Sequence, residues 1–152
     1  MKYSFDSSAF INPWRRHYPP KHFPSLWTTI DDLIEKGDVV ASEEVYYEIK
    51  QKDDDLLQYL KSRRKLFLPV DTKQQEVVGS IVNTFSDWID PGSLKHKADP
   101  YVIALARIHG LAVVAYEKIR GPSNVSIPGV CSHFHVPYLD FIGFMDDIGL
   151  TL

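Results

Sequence analysis

A single cysteine, Cys131, occurs among 152 residues. An internal disulfide framework is therefore impossible, and the chain suits a reducing compartment. No run of about 18 apolar residues is present, which argues against a membrane-spanning helix. The opening Met1-Lys2-Tyr3-Ser4-Phe5-Asp6 does not read as a signal peptide, because an acid interrupts the apolar stretch almost at once. The expected location is cytoplasmic, with no membrane partner. A dominant charge is missing too: 17 Lys and Arg face 20 Asp and Glu, for a net charge of −3. That balance gives no global field to attract nucleic acid, so a polyanion would be held by local basic groups or by metal ions. Neither a GxGxxG nor a GxxxxGKS/T loop occurs, which removes the common nucleotide-binding modules. Internal repeats and low-complexity stretches are also lacking.

The remainder is ordinary globular material, 44% hydrophobic and 24% charged. A chain of this length forms one domain, residues 1–152, and can bury roughly 70% of its unfolded surface. Apolar runs predict strands at Lys2 to Phe5, Asp38 to Ala41, Leu66 to Val70 and Leu111 to Ala115, with a fifth at Phe134 to Val136. Pro69 demotes the third of these to a short or edge strand. Helical patterns cover Pro24 to Lys36, Ser42 to Lys52, Asp54 to Lys65, Thr72 to Ile89, Asp99 to His109 and Leu139 to Ile148. The stretch holding Pro13, Pro19, Pro20 and Pro24 reads as a loop. Continuously apolar strands alternating with helices predict a parallel sheet covered on both faces, a three-layer α/β domain.

Four acids sit where solvation alone does not explain them. Asp6 ends the first strand, and open α/β sheets take their ligands beyond the carboxyl ends of the strands. Glu117 comes two residues after the clearest strand, at the same edge. Asp99 precedes Pro100 and a buried helix, where an N-cap with proline at the first helical position is a complete structural account. A carboxylate at a helix N-terminus is also held in its ionised form, which suits a metal ligand. Glu43 and Glu44 favour the helix dipole, whereas Glu48 lies one turn further on, where the bland role is an ion pair with Lys52. Converging carboxylates raise one another's pKa, and a divalent cation relieves that repulsion. Oxygen-only ligation selects Mg2+ or Mn2+.

Four segments then resemble those of PIN-domain proteins, of the kind found in VapC-type toxin ribonucleases. They are Tyr3-Ser4-Phe5-Asp6-Ser7-Ser8-Ala9-Phe10-Ile11, Ala41-Ser42-Glu43-Glu44-Val45-Tyr46-Tyr47-Glu48-Ile49, Ala98-Asp99-Pro100-Tyr101-Val102-Ile103-Ala104-Leu105-Ala106 and Val113-Val114-Ala115-Tyr116-Glu117. The resemblance implies a three-layer α/β/α PIN-like fold with a five-stranded parallel sheet in order 3-2-1-4-5. It implies an endoribonuclease using Mg2+ or Mn2+ held by Asp6, Glu48, Asp99 and Glu117. Two departures stand out. The family's fourth block usually has Thr where this chain has Ala115, and often Asp where it has Glu117.

Lys118 and Arg120, which follow Glu117, are expected to contact substrate phosphate, as are Arg15 and Arg16. The run Lys61 to Lys65 fits a solvated helix end better. By resemblance, the partners are an RNA substrate, a cognate antitoxin and a second copy in a homodimer. The alternative is a catalytically inactive PIN scaffold that binds RNA or protein. A phosphotransferase of the haloacid-dehalogenase kind needs an acid two residues after Asp6, where this chain has Ser8. Cys131, His133 and His135 would share one side of a strand and could form part of a zinc site, given a fourth ligand.

Overall fold

The computed structural model describes residues 1–88, 97–117 and 125–152. Its centre is a parallel sheet of β1 (Tyr3–Phe5), β2 (Val39–Ser42), β3 (Phe67–Leu68), β4 (Ala112–Val114) and β5 (Tyr138–Leu139). The strand order is β3-β2-β1-β4-β5, all pairs parallel. Each connection returns through helix, because parallel neighbours cannot be joined by a tight turn. β1 lies between β2 and β4, with Tyr3 opposite both Val39 and Ala112. The chain reverses direction across the sheet at that point, which opens a crevice beyond the ends of β1 and β4.

The pleat of β1 shows why both faces are covered. Ser4 points to one side, where its Oγ donates to the Val102 carbonyl of α6 (Asp99–His109) at 2.9 Å. Tyr3 and Phe5 point to the other, packing edge-on against Phe144 of α8 (Phe141–Asp147). Tyr3, Ser4 and Phe5 are all buried, as a central strand between two helical layers requires.

Asp6 passes directly into α1 (Ser8–Asn12), which continues as a π-helical turn over Pro13–His17. The Pro- and Arg-rich stretch is therefore partly helical, contrary to the loop expected from its prolines. Pro13 has no N–H to continue the α1 ladder, and the helix goes on from it as the π turn, while Trp14 packs against Trp27 and Tyr59. α2 (Pro24–Lys36) ends at Gly37, whose φ of +78° needs no side chain. α3 (Glu43–Ile49) is capped by Ser42 Oγ, and α4 (Asp55–Lys61) by Asp54. Both are shorter than the sequence pattern predicts.

α5 (Thr72–Thr84) stops before Ile89, the expected end, which lies outside the described residues. α7 (Ile127–His133) occupies a stretch that sequence reasoning left without a helix. The signal was present in Ser126 followed by Pro128, a cap with proline in the first turn. Phe134 to Val136 is a turn rather than the fifth strand, with His135 at φ +57°. β5 forms at Tyr138–Leu139 instead, where backbone groups pair with β4. Helical α7 also breaks the alternation expected of Cys131, His133 and His135: Cys131 is buried while both histidines are exposed.

Candidate metal centre

Asp6 extends the β1 ladder by donating its N–H to Val114 O at 2.9 Å. Its side chain turns back over the start of α1. Oδ2 accepts from Ser8 N–H at 3.1 Å and from Ser8 Oγ at 2.6 Å. Ser8 Oγ in turn accepts the Tyr116 N–H at 2.9 Å. One hydroxyl thus holds the Asp6 carboxylate and the chain leaving β4 in fixed relation.

Glu48 reaches the same place from α3. Its Oε1 accepts from Ser7 Oγ at 2.9 Å, and its Oε2 accepts the Ala98 N–H at 3.4 Å. Asp99 arrives from the other side, in the first turn of α6. The N-cap there is Ala98, with Asp99 and Pro100 both inside the helix, so the helix starts one residue earlier than the sequence suggested. Ala98 O accepts from both Tyr101 N–H and Val102 N–H, so the helical turn begins before Asp99.

The outcome is a cluster. One carboxylate oxygen each from Asp6, Glu48 and Asp99 lies within 4.8 Å of the others. Asp6 and Asp99 are 4% exposed and Glu48 is half-buried. Carboxylates this close and largely out of water repel one another, and positive charge nearby relieves that repulsion. Among the described residues this is the one such group of potential metal ligands, and its all-oxygen chemistry suits a hard divalent ion.

Glu117, at the same edge, is not one of those three. Its Oε2 accepts the Ile127 N–H at the start of α7 at 2.8 Å, and its backbone carbonyl accepts from the Tyr138 hydroxyl. Burial pushes the Tyr138 hydroxyl pKa up, and the Glu117 and Asp140 charges add to this.

The expected phosphate contacts divide. Arg16 is exposed on the π turn, whereas Arg15 is tied to Asp54, with Nη2 2.8 Å from Oδ2. Lys118 and Arg120 lie outside the described residues. The basic run at Lys61 to Lys65 is occupied in docking α4 and its turn onto α2. Arg63 bonds Asp31 and covers the Tyr59 ring, and Lys65 pairs with Glu35.

Two cavities meet beside the carboxylates. One, of about 200 Å3, is lined by Glu48 together with Glu44, Tyr47, Gln51, Lys97 and Ala98. The other, about 250 Å3, is formed by Glu44, Val78, Val82, Lys97, Pro100 and Tyr101. Sequence reasoning gave Glu44 only a dipole role. Burial, aided by the neighbouring Glu43, raises its carboxyl above the usual range. A further cavity, about 470 Å3, lies between the loop after the π turn and the turn after α3. Arg15, Lys21, Lys52, Asp54 and Asp55 supply its charged lining, so it lacks the three clustered acids.

Sheet order and helical layers define the class: this is a three-layer α/β domain with a PIN-like fold. Residues 3–152 match the family described as Domain of unknown function (DUF4411), and the chain belongs to that family. No curated protein matches it. Among solved structures, it is similar to a chain from the crystal structure of VapBC2 from Rickettsia felis bound to a DNA fragment from their promoter. The TM-score is 0.52 at 11% identity, covering 92% of this chain and 98% of that one. At that identity the likeness is one of fold. No helix among the described residues is long and apolar enough to cross a membrane.

Proposed function

We propose that this chain is a Mg2+- or Mn2+-dependent endoribonuclease acting in the cytoplasm, the toxin of a toxin–antitoxin pair. The observation that carries the reading is the meeting of Asp6, Glu48 and Asp99 within 4.8 Å, at the sheet edge where such folds take ligands. These residues fit a hard cation: the donors are all carboxylate oxygens, and two of the three side chains are nearly closed to water. An ion held there supplies an activated water and offsets charge on the phosphate being cleaved.

The chain's own groups do the orienting. Ser8 fixes Asp6, while Ser7 and the Ala98 N–H fix Glu48, so the oxygens are set before substrate arrives. Arg16 is the phosphate contact assigned from the described residues, with Lys118 and Arg120 as further contacts. Arg15 acts through its pair with Asp54, placing the π turn. Glu117, whose Oε2 accepts the Ile127 N–H, is the fourth carboxylate proposed for the ion.

RNA is the expected substrate and a second copy the expected homodimer partner; an antitoxin covers the cleft, and the likeness in fold to the VapBC2 chain supports that last partner alone. Incubation of RNA with the protein and Mn2+, beside Asp6→Asn, tests the activity. Cleavage lost in the variant supports it. Equal products from both would favour the non-cutting PIN scaffold, a reading that Ala115 and the engagement of Glu117 with α7 keep in view.

A further inference from the structure

The two cavities beside the carboxylates share Glu44 and Lys97, yet their linings differ in kind. The one containing Glu48 carries most of the charged and amide side chains, Glu44, Glu48, Gln51 and Lys97. The other is walled by Val78 and Val82 of α5 and by Pro100 and Tyr101 of α6, with Glu44 and Lys97 at the junction. A strand of RNA has the same two-part character, with a charged backbone and flat apolar bases.

We propose that this α5–α6 slot receives the base of the nucleotide next to the scissile phosphate, and that Glu44 selects bases bearing an exocyclic amino group. The inference rests on the nuclease reading and adds a specificity pocket to it. Lys97 makes no ion pair among the described residues and stands between the slot and Glu48, where the backbone phosphate would pass. Tyr101 offers an aromatic face, and base stacking on such a ring is tolerant of sequence. Val78 and Val82 supply the dry opposite wall.

Selection then falls to Glu44. Its neighbour Glu43 is already engaged, accepting the Val70 N–H at 2.8 Å. The Glu44 side chain, by contrast, has no hydrogen-bond partner among the described residues. An ionised carboxylate only accepts. It matches the amino groups of cytosine, adenine and guanine, and meets repulsive carbonyl oxygens on either side of the one donor that uracil presents. Single-stranded RNA is the form that fits, because only an unstacked base can enter a side slot.

Two arms test the slot separately from catalysis. In the first, 5′-CMP and 5′-UMP are titrated into the metal-free full chain while the methyl resonances of Val78 and Val82 are followed. The expected result is saturable shifts, with CMP favoured by at least about fivefold. Glu44→Gln should erase that preference, and Tyr101→Ala should weaken both nucleotides. Silent methyls, or shifts reproduced by ribose 5-phosphate alone, overturn the slot. In the second arm, a random-sequence RNA pool is cut in Mn2+ and the bases beside each cut are counted. Wild type should disfavour uracil at one position, and Glu44→Gln should relax that bias. Cleavage with an unchanged bias in Glu44→Gln overturns the slot and leaves the nuclease standing. Nucleotide binding without any cleavage overturns the nuclease and leaves the slot.

Discussion

Ser7 Oγ donates to Glu48 Oε1 across 2.9 Å, joining the residue after Asp6 to a helix that follows a different strand. Two of the clustered acids are thereby held in one framework before any ion or substrate is present. Hydrogen bonds to charged groups contribute about 1.5–3 kcal/mol, and groups that orient metal ligands typically govern affinity or activity by about 10–100-fold. Ser7→Ala should weaken Mn2+ binding within that range while the fold persists. Calorimetric titration of Mn2+ into both proteins checks it, and an unchanged affinity would detach Ser7 from the site.

Ser8 makes a stricter case because its hydroxyl serves two partners, donating to Asp6 and accepting from Tyr116. Ser8→Ala leaves the Tyr116 N–H without this acceptor and removes one of the two bonds that Ser8 gives the Asp6 carboxylate, the backbone N–H bond remaining. Stability should fall by about 1–3 kcal/mol, alongside weaker ion binding. Chemical denaturation gives the first quantity and Mn2+ titration the second. A loss of binding without loss of stability would contradict the shared role.

Crowded like charges make a prediction of opposite sign. In the absence of metal, Asp6→Asn removes one charge of three while its amide oxygen can still accept from Ser8. The variant should melt at or above the wild-type temperature without metal. It should also lose the rise that Mn2+ produces, a rise of about 2.7 kcal/mol in stability at a hundred times Kd. Thermal melts with and without Mn2+ decide it; an equal rise in both proteins would remove Asp6 from the ion site.

Much of this arrangement was legible in the chain. The bounds of α2 and α6 follow from Pro24, Gly37, Pro100 and Gly110, because proline and glycine act on local backbone geometry. Strand order and the edge position of Asp6 came with the family resemblance and the apolar runs. The losses have a common cause: contacts distant in sequence. Trp14 draws the Pro-rich stretch into helix through Trp27 and Tyr59, and no window around Pro13 contains that information. β5 sits at Tyr138–Leu139 because β4 offers pairing there, which short apolar patterns cannot register. The direction of the Glu117 side chain depends on the start of α7 ten residues later. Glu44 looked like a dipole acid until Val78, Lys97 and Tyr101 were brought beside it.

The aromatic packing under β1 sets the expected cost of core damage. Phe144 is fully buried and meets Tyr3, Phe5 and Phe141 at ring-centre distances of 5.1, 5.0 and 5.6 Å. Phe144→Ala should cost about 3–5 kcal/mol, read from the shift in denaturation midpoint at constant slope. A cost below about 1 kcal/mol would mean that α8 does not close this face of the sheet.

Cys131 links burial to pH. Its thiol is fully buried, and that burial, with the Glu117 charge as the lesser cause, pushes its pKa from 9.0 up to about 12. The folded chain therefore keeps a proton that the unfolded chain releases first. The resulting stabilisation is complete below pH 9.0 and is lost as pH rises towards about 12. Tyr3, also raised to about 12 by burial and by its bond to Asp147, adds to the decline above pH 10.0. Cys131→Ala leaves a small cavity and should melt lower at neutral pH. The gap from wild type should then narrow above pH 9.0, because the variant has no thiol to lose. The same burial predicts that the native thiol resists alkylation at about pH 8 and reacts once unfolded. Rapid native labelling, or a melting gap that stays constant with pH, would place Cys131 at the surface and α7 away from the sheet.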